Sequence, residues 1–115
     1  MKKFYAIYKT PVSVIEGWME TPEAERKAMQ DKMESEWQAW ATEHASVIEE
    51  SAGLGKTQVV SPSGVTPAKN DMMMYTIVNA DSAEAAAQIF VGHPHLQIPQ
   101  SSIEIMEANK MPGMK

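Results

Sequence analysis

Met72-Met73-Met74-Tyr75-Thr76-Ile77-Val78-Asn79 is the stretch on which the fold turns. Eight residues is strand length, and Tyr, Thr, Ile and Val are types that suit a pleated surface. Apolar side chains occupy neighbouring positions instead of alternate ones, so both faces of this strand are expected to be buried, as in the middle of a sheet. Lys3 to Lys9 has the same character. Phe4, Tyr5, Ile7 and Tyr8 put large apolar groups on both faces before Thr10-Pro11, where proline cannot continue a central ladder. These two strands are expected at the centre of one sheet.

Working outward, Thr21-Pro22-Glu23 supplies a cap residue, a proline for the first helical position and an acidic first turn, the features of a helix N-terminus. Met29, Met33, Trp37, Trp40, His44 and Val47/Ile48 then recur every three or four residues, which predicts a long helix with one apolar stripe, stopped by Gly53 and Gly55. Lys56 to Val60 reads as a second strand, followed by the turn Ser61-Pro62-Ser63-Gly64 and an irregular loop to Asn70-Asp71. Asp81-Ser82-Ala83-Glu84 has capping-box spacing with Asp81 as the cap, and Ala83 to Val91 is a short helix ended by Gly92 and Pro94. In the last strand, Ser102 to Glu107, Ile103 and Ile105 fall on one side and Glu104 and Met106 on the other.

The order strand, helix, strand, strand, helix, strand predicts a ferredoxin-like α+β fold, βαββαβ: a four-stranded antiparallel sheet with both helices on one face. A single domain is expected over 1–109, with 110–115 as a C-terminal tail. Two helices cover only one face of such a sheet, and the other would leave an apolar patch in water. A sheet-to-sheet homodimer, the arrangement of a dimeric α+β barrel, is the simplest cover.

Composition narrows the function. Of the 115 residues 43% are hydrophobic and 22% charged, a globular balance. The formal charge of −5 and the scattered Lys and Arg argue against nucleic acid as a partner. No stretch reaches the roughly 20 apolar residues that cross a bilayer, so no membrane span is expected. Cysteine is absent, which excludes a disulfide framework and a thiolate nucleophile and fits a cytoplasmic setting.

Phe4-Tyr5-Ala6-Ile7-Tyr8, the entry Ala80-Asp81-Ser82-Ala83-Glu84-Ala85-Ala86 into the second helix, and Gly92-His93-Pro94-His95-Leu96 ahead of Ser102-Ile103-Glu104-Ile105 together resemble the YCII-related domain family, a branch of the dimeric α+β barrel proteins. The resemblance implies a ferredoxin-like fold, a dimer and a small pocket between sheet and helices. It also implies kinship with a few lyases acting on small, often aromatic, rings. A His/Asp site with a His near the start of the first helix has been proposed for the family. Here that stretch reads Pro22-Glu23-Ala24-Glu25-Arg26-Lys27-Ala28-Met29 and holds no His, so that dyad does not carry over.

His93 and His95 flank Pro94 just past a helix C-terminus, where a loop can project into a pocket and an imidazole can serve as general acid or base. The bland alternative is that His93 caps the helix and His95 packs or stays solvated. Trp37 and Trp40 lie on one helical face with His44 a turn further on, a wall able to stack a planar ligand or simply to form core. Trp18 is expected in the loop before this helix. The candidate site is thus His95 and His93 as catalytic groups, with Trp37, Trp40, His44 and Tyr5 binding a small molecule. His-x-His spacing occurs in metal sites, but His44, the only other imidazole, lies on the apolar stripe of the helix, where a hydrogen-bonded core residue is the commoner role, so no metal is expected, and no cofactor. Gly53-Leu54-Gly55-Lys56-Thr57 ends like a phosphate loop, but Glu50 stands where its first Gly belongs. Two further readings stay open: a non-catalytic dimeric interaction or sensor module, and a dimeric-barrel monooxygenase.

Overall fold

The computed structural model describes residues 1–114; Lys115, the last residue of the expected tail, lies outside the described residues. Strand β1 (Lys2–Lys9) opens the chain, and α1 (Val12–Met19) and α2 (Glu23–Glu43) follow. Then come β2 (Ile48–Gly53), β3 (Thr57–Ser61), β4 (Gly64–Ala68), β5 (Met72–Ala80) and α3 (Ala83–Ile89). A 3₁₀ turn (Pro94–Gln97) leads into β6 (Ser102–Glu107). The main sheet has the order β2-β5-β1-β6, antiparallel throughout, so β1 and β5 are central as their two-sided apolar character demands. This is the ferredoxin-like α+β fold.

The register assigns each residue to a face. Phe4 stands opposite Val78, Ala6 opposite Thr76 and Ile105, and Tyr8 opposite Ile103. Those positions point to the helices; Phe4, Ala6, Tyr8, Thr76 and Val78 are buried completely, or to within 1% in relative exposure. With Trp40, Ala80, Ala86 and Phe90 they make the core, against which Trp37, Ile48, Met74, Ile89, Ile103 and Ile105 pack. The intervening residues Tyr5, Ile7, Tyr75 and Ile77 share the opposite face, where Tyr5 and Tyr75 lie 6.0 Å apart by ring centroid. Ion pairs of Lys9 with Asp71 and Glu104, and of Lys3 with Glu49, fringe that face.

Several local expectations are corrected. Trp18 is not in a loop but in α1, which starts directly after Pro11. Pro22, rather than Thr21, occupies the N-cap position of α2, and the Thr21 hydroxyl instead donates to the Gly17 carbonyl. Ser82, not Asp81, caps α3, its hydroxyl accepting from the Ala85 N–H at 3.1 Å. Gly92 takes φ 77 to reverse the chain after this helix, a conformation in which side chains other than glycine's are strained.

The largest correction concerns the stretch after α2. The helix ends at Glu43 with His44 as its C-cap, well before Gly53, because Val47 and Ile48 find ladder partners on β5. The Asn79 N–H donates to the Val47 carbonyl at 2.9 Å, and Ile48 stands opposite Val78. The second strand of the main sheet is therefore β2, at Ile48–Gly53. The Lys56 to Val60 stretch supplies β3, which pairs with β4 across Pro62-Ser63 in a separate two-stranded sheet, and the expected irregular loop is partly a strand.

Candidate functional site

The last turns of α2, the inward side of β1 and the segment after Gly92 meet in a cage of rings. Trp37 and Trp40 project from α2 at i and i+3, and Tyr8 comes from the end of β1. His93 and His95, on either side of Pro94, close the cage, because the 3₁₀ turn packs against α2. Ring centroids of His93 lie 4.4 Å from Trp37, 4.4 Å from Trp40 and 5.1 Å from Tyr8. His95 lies 5.3 Å from Tyr8 and 6.4 Å from Trp37. Phe90 backs Trp40 at 5.2 Å, while the Trp40 indole N–H donates to the Ile89 carbonyl and ties α2 to α3.

Both imidazoles are almost wholly buried, with 1% of His93 and 2% of His95 exposed. Their hydrogen bonds fix the tautomers. His93 Nδ1 accepts the backbone N–H of His95 at 2.9 Å, so in the neutral ring the proton sits on Nε2. His95 Nε2 lies 3.0 Å from the Lys9 carbonyl, which can only accept, so that nitrogen carries the proton as well. Burial pushes the His93 pKa down to about 4, and the neighbouring imidazoles His95 and His44 push in the same direction. Burial also lowers His95, against the opposing pull of hydrogen bonds to the Lys9 and Ser102 backbone. Both rings are neutral at physiological pH.

The consequence is an unpaired donor. His93 Nε2 is buried and has no hydrogen-bond partner, an arrangement that costs on the order of 1–3 kcal/mol. Around it stand the rings of Trp37, Trp40 and Tyr8, and Trp37 is the half-exposed member of the set. Beyond Tyr8 runs a chain of hydroxyls. Tyr8 Oη is 2.8 Å from Thr76 Oγ1, which is 2.8 Å from Ser51 Oγ on the edge strand. Burial raises the Tyr8 pKa to about 12, only partly offset by the Thr76 hydroxyl, so the phenol stays protonated.

Of the residues singled out from the sequence, the fold gathers His93, His95, Trp37 and Trp40. His44, at the C-cap of α2, lies against Trp40 with the rings tilted and their centroids 5.1 Å apart. Tyr5 stands apart, on the outer face of the sheet and 38% exposed. Tyr8, Thr76 and Phe90 were missed. Tyr8 was recoverable from strand alternation, since Phe4, Ala6 and Tyr8 must share a face that Tyr5 cannot. Thr76, a polar residue inside an apolar central strand, was the other available signal.

Two shallow clefts open elsewhere, one of about 310 Å³ between Leu54, Lys56, Asn70 and Met72, the other of about 300 Å³ beside Arg26 and Gln30 on α2. Among the described residues no group of three or more His, Asp or Glu is gathered as a metal site requires, and no helix is long and apolar enough to cross a membrane.

No family model matches this sequence, and no curated protein matches it. Solved structures do. One is 5-chloro-2-hydroxyhydroquinone dehydrochlorinase (TftG) from Burkholderia phenoliruptrix AC1100, in complex with 2,5-dihydroxybenzoquinone. It aligns over 92% of this chain and 93% of its own, with a TM-score of 0.50 and 11% identity. At that identity the likeness concerns the fold.

Proposed function

We propose that this chain is a YCII-like, homodimeric, cytoplasmic protein that binds a small planar oxygenated compound in the cage of Trp37, Trp40, Tyr8, His93 and His95. One observation carries the reading: the buried His93 Nε2–H that lacks an acceptor. A ligand carbonyl, phenol or carboxylate oxygen at that nitrogen supplies the missing partner, and the surrounding aromatic faces suit a flat ring. Trp37, the half-exposed wall, is the side chain that has to move to admit it.

In the enzymatic form of this reading the two neutral imidazoles work as a donor and a base. His93, held neutral, donates from Nε2 to the substrate oxygen and stabilises charge that develops there. His95, whose Nε2 proton is anchored on the Lys9 carbonyl, offers its other nitrogen as proton acceptor. Such a pair suits elimination or isomerisation on a ring compound and needs no cofactor. The dehydrochlorinase with the same fold, complexed with 2,5-dihydroxybenzoquinone, makes that compound the first probe.

Tryptophan fluorescence and calorimetric titration with 2,5-dihydroxybenzoquinone and a panel of simple phenols and carboxylates test the site. Saturable quenching in the wild type, weakened at least tenfold in the His93→Phe variant, is the expected result. Titrations that saturate equally in both proteins would contradict a role for His93.

A second reading, a non-catalytic dimeric interaction or sensor module, draws support from the ring contacts near 4.4 Å, which leave the cage filled by its own side chains. On that reading no compound of the panel changes the tryptophan signal at millimolar concentration.

A further inference from the structure

The β3–β4 hairpin stands out from the rest of the molecule, and we infer that it is an arm that packs onto a second copy of this chain. The inference rests on the homodimer proposed above and adds a contact outside the sheet face.

Three observations lead to it. The first is the hairpin's isolation. It forms a two-stranded sheet of its own, and such hairpins are marginally stable in water unless packed against something. Among the described residues its own chain supplies little beyond tethers at its root: the Asn70 amide donates to the Thr57 hydroxyl at 3.0 Å, and Lys69 pairs with Glu16 at 3.6 Å.

The second is its surface. From Thr57 to Ala68 the hairpin has no charged residue. Val60 and Val65 are direct cross-strand partners, 78% and 65% exposed, with Pro67 two residues further along the same face. A chain that exposed this segment to solvent would be expected to protect it with Lys or Glu. Pro67 does deprive the β4 backbone of a donor, which blunts a strand edge, but the apolar face is left open.

The third is the amount of surface. The chain exposes 8163 Å². A compact monomer of 12.7 kDa exposes about 6,200 Å² by the usual mass scaling. Its radius of gyration, 16.1 Å, likewise exceeds the value of about 13 Å for a compact chain of this length. The surplus, on the order of 1,900 Å², is what one subunit contributes to a large homodimer interface, and it exceeds the roughly 800 Å² per partner of a standard one. The hairpin contributes to that surplus, with Val60 and Val65 open to solvent. A second copy is the occupant whose interface matches this surplus.

The test is sedimentation equilibrium on the wild type, on a Val60→Lys/Val65→Glu double variant and on an Ile7→Asp variant of the outer sheet face, each first checked for native circular dichroism. Val60 and Val65 are already exposed within the protomer, and opposite charges at facing strand positions favour the pairing, so the double variant keeps the hairpin. The inference expects a wild-type dimer whose dissociation constant rises at least tenfold in the hairpin variant. It also expects the amides of Val59, Val60, Val65 and Thr66 to be protected from hydrogen exchange in the dimer and to lose protection on dilution. A wild-type dimer that Ile7→Asp dissociates and the hairpin variant does not would overturn the arm while leaving the homodimer intact. A wild type that is monomeric at every concentration overturns both.

Discussion

Along β1, Phe4, Ala6 and Tyr8 are completely buried, while Tyr5, one step away, is 38% exposed and Ile7 is half-buried. The same four strands thus carry two apolar faces that meet different fates. The inner face is covered by its own chain, and the cover is made largely of aromatic and imidazole rings from α2 and the segment after α3. On the outer face only Ile77 is buried, at 5% exposure; Tyr5 is exposed, Ile7 and Tyr75 are half-buried, and ion pairs fringe them. The lesson is that apolar alternation specifies a strand's burial but not what covers it. The inner face carries the proposed site, and the outer face the proposed contact with a second copy.

The sharpest way to break this contrast is to truncate one residue from each side. Phe4→Ala should lower unfolding stability by about 3–5 kcal/mol, the cost of a large cavity in a closed core. Tyr5→Ala should leave the stability of the protomer within about 1 kcal/mol and weaken the dimer instead. Urea unfolding combined with sedimentation separates the two effects, and similar losses at both positions would erase the distinction between the faces.

A second prediction sharpens the inner face alone. His93 has a lower pKa folded, about 4, than unfolded, about 6.5, so between those values the unfolded chain binds a proton that the folded one refuses. Stability is therefore at its full value above about pH 6.5 and is lost as pH falls toward 4, by about 3 kcal/mol in total. His93→Phe should flatten that limb in urea titrations at several pH values, although it also loses the acceptor for the His95 N–H. An unchanged acid limb would mean that another group carries it.

Smaller effects follow at the hydroxyl chain and at the outer face. Thr76→Val removes the partner shared by Tyr8 and Ser51 and should cost about 1–3 kcal/mol, because the Tyr8 hydroxyl is left buried and unpaired. Tyr75→Phe, which deletes the exposed bond to Glu50 at 2.7 Å, should leave the urea midpoint unchanged within error.

How much of this was legible in the sequence depended on whether local pattern and tertiary pairing agreed. They agreed for β1, β5, β6 and α3, where residue type, length and punctuation all point one way. They disagreed after α2. Val47 and Ile48 extend the helical spacing of Trp37, Trp40 and His44, yet the open edge of β5 draws them into a strand, and only tertiary contact decides between the two. β2 itself, Ile48-Glu49-Glu50-Ser51-Ala52-Gly53, is polar enough at its exposed positions to hide as a helix end. At the site, the loop position of His93 and His95 and the pairing of Trp37 with Trp40 were readable. That the imidazoles are held neutral was not, because burial and a backbone N–H supplied two residues away determine it. Tyr5 was selected where Tyr8 occupies the cage, a slip of three residues that crosses the sheet from one face to the other.

A binding site in the inner cage, as proposed, is organised around a neutral His93 donor. Nitrogen NMR of the imidazole rings, recorded from pH 4 to 8 with and without 2,5-dihydroxybenzoquinone, reads that donor itself. An Nε2-protonated His93 ring that stays neutral at pH 6, with an Nε2 signal that shifts on adding the compound, is the expected result. A His93 that titrates near 6.5, with ring signals indifferent to the compound, would contradict it.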